Sequence, residues 1–75
     1  MITLHPVSSS ALAAVAYDQT TRVLLVQFRN GSCYEYTAVP DSLVHSLLAA
    51  ESKGLFLNRF IRGSFAFRRC SQTLI

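Results

Sequence analysis

The last third of this chain contains no acidic residue: Asp18, Glu35, Asp41 and Glu51 all precede Lys53. Its beginning contains no basic one, since neither Lys nor Arg occurs before Arg22. Cysteine is limited to Cys33 and Cys70, and the longest stretch without a polar residue, Ala11 to Tyr17, is only seven residues. That stretch is far short of the ~18 that suggest a membrane-spanning helix. Two cysteines without Cys-x-x-Cys spacing suggest neither a disulfide framework nor a zinc site, so a pair of thiols in a reducing cytosol is the expectation. His5 and His45 are too far apart to make a metal-spaced motif, and the glycines form no phosphate-cradling loop. Ala11-Leu12-Ala13 and Ala14-Val15-Ala16 look like signal-peptidase sites. The missing positive n-region, and Pro6 with Ser8-Ser9-Ser10 in the way of an apolar segment, argue against a secretory signal. The expectation is therefore a cytoplasmic protein with no membrane contact, no metal and no cofactor.

Seventy-five residues, 51% hydrophobic and 15% charged, suffice for one small folded domain spanning the whole chain. Such a domain is too small to enclose a large cofactor cavity. The net charge of +3 conceals an asymmetry. Residues 1–52 carry −2, from Arg22 and Arg29 against the four acids, while Lys53, Arg59, Arg62, Arg68 and Arg69 give the remainder +5. Six of the seven basic residues are arginine, whose planar fork suits phosphate or carboxylate, so an anionic partner is indicated.

The first half reads as strands. Leu12 to Tyr17 is short and apolar, Asp18-Gln19-Thr20-Thr21 supplies turn chemistry, and Arg22 to Arg29 is rich in residues that suit a pleated sheet. Asn30-Gly31 marks a second reversal before Ser32 to Thr37. A two-residue loop there would put Glu35 on the same face as Leu24, Val26 and Phe28. A three-residue loop with Gly31 left-handed in a bulge pairs Phe28 with Ser32, Val26 with Tyr34 and Leu24 with Tyr36, and sends Glu35 to solvent. The bulged register is preferred, because an unpaired buried carboxylate costs several kcal/mol and a left-handed glycine costs little.

Pro40 fits the first position of a helix and Asp41 complements its dipole, while Leu43, Val44, Leu47 and Leu48 recur at helical spacing. This helix is expected to end near Gly54, with Glu51 in a frayed last turn or reaching an arginine. A second helix is expected over Leu55 to Arg62, with Phe56, Leu57, Phe60 and Ile61 on one side, Asn58, Arg59 and Arg62 on the other, and Gly63 closing it. Phe65 to Arg69 alternates and reads as a short last strand or an extended tail. The fold class is thus α+β: a three-stranded antiparallel meander, two helices on one face, and an optional fourth strand.

Val7-Ser8-Ser9-Ser10, Val15-Ala16-Tyr17-Asp18, Leu24-x-Val26-x-Phe28-x-Asn30-Gly31-x-x-Tyr34-x-Tyr36, Val39-Pro40, Ala50-x-Ser52-Lys53-Gly54, Asn58 and Ile61-Arg62 resemble the KTSC domain. That small bacterial module is named for its occurrence at the C-terminus of some lysyl-tRNA synthetases and also stands alone. The resemblance covers residues 7 to about 69, leaving 70–75 as a tail. The family is of unknown function, and through the synthetase association the resemblance suggests RNA binding. The sequence departs from the family pattern at Ala16, in place of glycine, and at Phe65-Ala66-Phe67, in place of a Tyr-Pro-Tyr-like element.

The candidate nucleic-acid-binding residues are Lys53, Arg59, Arg62, Arg68 and Arg69, together with Tyr34 and Tyr36. The cations offer phosphate contacts if they converge, and the tyrosines could stack bases. In the bulged register the tyrosines share the face of Leu24, Val26 and Phe28, which favours core packing with hydroxyls at the rim. Arg62 has a second, structural reading, as a brace for Glu51 or a helix end. Arg62-Gly63-Ser64-Phe65-Ala66-Phe67 echoes an RNA-recognition signature, but an extra serine interrupts it and the element order is wrong for that fold. An alternative function is a protein-interaction or self-association module, because Val23 and Leu25 fall on the sheet face away from the helices. Catalysis by His5 with Ser8 to Ser10 lacks an orienting group and an oxyanion hole, so no enzyme is expected.

Overall fold

The structure, a computed structural model, describes the backbone of residues 2–6 and the whole of residues 12–70. Among the described residues, five antiparallel strands lie in chain order: β1 (Ile2–Pro6), β2 (Leu12–Asp18), β3 (Val23–Phe28), β4 (Cys33–Tyr36) and β5 (Phe67–Arg69). Between β4 and β5 come α1 (Asp41–Ala49), a single α-turn α2 (Lys53–Phe56), and a π-turn over Leu57–Ile61 that continues it. The α+β class and the meander order match the sequence reading, but the sheet is wider. A strand ahead of Leu12, which the sequence reading did not include, pairs with β2, with Leu4 opposite Ala16, and Phe67–Arg69 is a strand rather than a tail. Ser8, Ser9 and Ser10 lie outside the described residues.

Turn chemistry sets both central registers. At β2–β3, the Asp18 carboxylate accepts the Thr20 and Thr21 N–H groups, which also holds its pKa below the usual carboxylate value. At β3–β4, Gly31 adopts φ +94°, Phe28 N–H donates to Ser32 C=O, and Val26 and Leu24 face Tyr34 and Tyr36. This is the bulged register, with Glu35 opposite Leu25 on the outer face. A further irregularity at Ala13, between Leu12 and Ala14, keeps Leu12 and Val15 both in the core.

The inner sheet face supplies Leu12, Val15, Tyr17, Leu24, Val26 and Tyr36 to a core closed by Val39, Val44, Leu47, Leu57 and Ile61. Val39 ties the helical layer to the sheet: its N–H donates to Arg22 C=O, and its C=O accepts the buried Tyr17 hydroxyl. The preceding residue, Ala38, is exposed with φ +60°. A left-handed non-glycine residue costs roughly 1–2 kcal/mol, and glycine adds about 0.5–1 kcal/mol of unfolded-state entropy. Ala38→Gly should therefore raise stability by up to about 1 kcal/mol. A urea midpoint lower than wild type would contradict the assigned backbone.

The helices depart from the sequence reading in three ways. First, α1 stops at Ala49 because Ala50 turns extended (ψ 142°). Pro40, also extended, precedes α1 as its N-cap. Second, Gly54 lies inside α2 rather than ending a helix. The new start is marked by Ser52, whose Oγ accepts Leu55 N–H, and the Lys53 ammonium donates to the freed Ala50 carbonyl at 3.1 Å. Glu51 is exposed in the break between the two helices. Third, Arg62 N–H reaches Leu57 C=O, the i→i+5 bond of a π-turn. Leu57 and Ile61, four apart, both lie against the core, while Phe60 is 49% exposed with its ring against Phe56. Gly63, at φ +83°, ends the turn as expected.

Candidate functional site

Because α1 and the π-turn cover only part of the inner sheet face, the β3–β4 corner and β5 remain open. A groove of about 300 Å³ is left there, lined by Phe28, Asn30, Ser32, Tyr34, Tyr36, Arg62 and Phe67. That volume lies at the small end of ligand clefts, which run ~300–1,000 Å³. Alternation along the strands places the rings. Tyr34 and Tyr36 point inward from β4, and Phe67, opposite Tyr36 on β5, joins them. Tyr34 meets Phe28 edge-on at 5.7 Å and Phe67 at 6.0 Å, while Phe67 lies tilted over Tyr36 at 5.8 Å.

The three rings differ in what they can do. Tyr36 is only 2% exposed, so it forms the floor and cannot take a base on its face. Burial pushes its hydroxyl pKa up, with the Arg62 charge opposing. Tyr34 is half-buried, and Phe67 is 59% exposed, which makes it the most open aromatic surface of the groove. Phe65 packs partly buried against the core, whereas Phe67 is mostly exposed.

The structure brings Tyr34, Tyr36 and Arg62 to one groove and leaves most of the other cations elsewhere. Arg62 leaves the π-turn at the groove's rim, where its guanidinium donates to Asn58 Oδ1 at 2.9 Å and keeps further donors. Its brace is thus Asn58. Arg69 stands opposite Tyr34 on the same strand alternation and is exposed. Arg68 points to the outer face, where its Nε lies 3.0 Å from Glu35 Oε1. Lys53 is engaged with the Ala50 carbonyl. Arg59 lines a separate depression with Leu55, Phe56 and Phe60. The +5 segment is therefore distributed around the molecule, because β5 alternates and the π-turn rotates its residues.

Phe67 is the functional candidate missed in the sequence. Its signal was the alternation of Phe65 to Arg69, which became informative only once β5 paired with β4. Among the other candidates, Val23 and Leu25 lie on the outer face and are both partly covered. His45 is exposed, 3.5 Å from the exposed Asp41, on the side of α1 away from the core. Among the described residues no cluster of three metal-ligating side chains occurs, and no helix is long and apolar enough to cross a membrane.

An antiparallel meander carrying two short helical pieces on one face, with an aromatic groove at its open corner, defines a small α+β module with a concave site at its surface. The family model of the KTSC domain matches residues 8–65, and this chain belongs to that family. The chain is similar, at 42% identity over 62 residues, to a lysine–tRNA ligase of Nostoc punctiforme; the match covers 83% of this chain and 11% of that ligase. It is also 40% identical over 62 residues to a protein of Tsukamurella paurometabola, covering 83% of this chain and 92% of that one. The crystal structure of a KTSC domain protein from Yersinia pestis superposes with a TM-score of 0.89 at 36% identity, covering 93% of this chain and 99% of that one. The fold is thus found both as a protein of its own and as about a tenth of a much longer enzyme.

Proposed function

We propose that this domain is a non-catalytic accessory module that binds single-stranded RNA in the aromatic groove. The carrying observation is the meeting of open ring surface, from Phe67 and Tyr34, with a rim cation, Arg62, in one concave site. Single-strand binders combine the same parts: aromatic platforms for bases and cations for the backbone. The relationship to lysine–tRNA ligases supports RNA as the nucleic acid. Arg62 and Arg69 are the cations placed to meet phosphates, and Tyr36 shapes the floor beneath a stacked base. Lys53, Arg59 and Arg68 contribute at most a diffuse field.

Fluorescence anisotropy with a mixed-sequence RNA strand and with tRNA tests this. Two phosphate contacts to a single strand give a salt slope of about −1.4, so affinity should fall roughly sevenfold between 50 and 200 mM salt. No binding at low salt, or affinity indifferent to salt, defeats the proposal. Light scattering on the same samples addresses the alternative of self-association through Val23 and Leu25. A dimer broken by Leu25→Glu, with no RNA binding, would replace the RNA reading by that one.

A further inference from the structure

The β4–β5 ladder continues one pair beyond the strands themselves. Tyr34 faces Arg69 and Glu35 faces Arg68, and the next residues, Cys33 and Cys70, are joined by Cys70 N–H donating to Cys33 C=O at 2.7 Å. The two cysteines are therefore directly opposed neighbours on the same sheet face, and both are free thiols. Opposed residues in an antiparallel hydrogen-bonded pair have Cα atoms about 5.5 Å apart, inside the roughly 4.4–6.8 Å that a disulfide spans. We propose that Cys33 and Cys70 are a thiol-modification site that closes to a reversible intrachain disulfide with a low-molecular-weight disulfide oxidant such as oxidised glutathione.

Exposure orders the steps. Cys33 is buried, and burial, with the Cys70 side chain beside it, pushes its thiol up to about 12, so it is a poor first nucleophile. Cys70 is partly exposed. Its thiolate attacks one sulfur of oxidised glutathione, forming a mixed disulfide and expelling one glutathione thiolate. Cys33 then gives its proton to solvent and attacks the Cys70 sulfur, expelling the second glutathione. Two protein thiols are oxidised by two electrons and one glutathione disulfide is reduced to two thiols. The product fastens β5 to β4. Hydrogen-bonded ladder sites hold side chains farther apart than the alternate sites do, so the bond should be strained and readily reduced.

The full chain, incubated with oxidised glutathione under native conditions, should yield a monomer lighter by two hydrogens that no longer takes up iodoacetamide. Dithiothreitol should restore both thiols, and Cys33→Ser should instead stop at one glutathione adduct on Cys70. The ratio of internal disulfide to glutathione adduct should be at least tenfold higher in native buffer than in guanidinium, since unfolding separates the strands. A stable adduct on wild-type Cys70, a disulfide between two chains, or the same ratio in denaturant would each overturn the assignment. None of these readouts depends on what the groove binds.

Discussion

Ile61→Ala should remove about 2–5 kcal/mol of folding stability, against a total of roughly 4–11 kcal/mol for a domain of this length. Ile61 is fully buried and reaches the core together with Leu57, four residues earlier on the same helical face. Its truncation leaves a cavity under the segment that delivers Arg62 to the groove. Phe60→Ala, one residue earlier, should cost well under half as much, because Phe60 is 49% exposed and touches chiefly Phe56. Urea unfolding of both variants checks this, and equal costs would contradict the burial of Ile61 and the exposure of Phe60.

The second large effect concerns binding. Tyr34→Ala should weaken RNA affinity by about 5- to 150-fold, the range that corresponds to ~1–3 kcal/mol of stacking per base. Tyr34 also separates Phe28 from Phe67, so its loss opens the groove as well as removing a ring. Tyr34→Phe keeps the ring and should retain most of the affinity. Arg62→Ala should instead reduce the salt slope by about 0.7, the share of one single-strand phosphate contact. Arg68→Ala should change neither, because its guanidinium stands on the opposite face beside Glu35. Anisotropy at several salt concentrations checks all four variants. A Tyr34→Ala variant that is folded and binds like wild type would remove the groove from the reading.

The identity of the family at this site does not alter the physical division of labour. A module that occurs within a lysine–tRNA ligase and as a protein of its own must fold from its own residues. The polar strap from Tyr17 to Val39, and from Val39 to Arg22, joins sheet and helices without a large core. The groove lies at the far end of β4 from that strap, where the helical layer has run out.

Local chemistry made part of this architecture legible along the chain. The β3–β4 register followed from two short-range facts, the tolerance of Gly31 for a left-handed turn and the cost of burying Glu35. The meander order, a helix beginning beside Pro40, a stop at Gly63 and the excess of arginine after Lys53 were likewise local. Ala50 and Ser52 ended one helix and began another where glycine alone suggested the break, because a side-chain cap and an extended residue outweighed Gly54.

What remained hidden depended on contacts between distant segments. The edge strands β1 and β5 are short and acquire their conformation by pairing with β2 and β4. The π-turn is defined by the Arg62 N–H to Leu57 C=O bond, and helical periodicity, which already puts Leu57 and Ile61 on one face, does not distinguish it from an α-turn. From those pairings and this turn come the placement of Phe67 and Arg62 at one groove, the turning of Arg68 away from it, and the opposition of Cys33 to Cys70. Composition could therefore give the number and sign of the charges and the types of side chain, each being a property of single residues. Their convergence is a property of strand pairing and core packing, and only the folded chain supplies it.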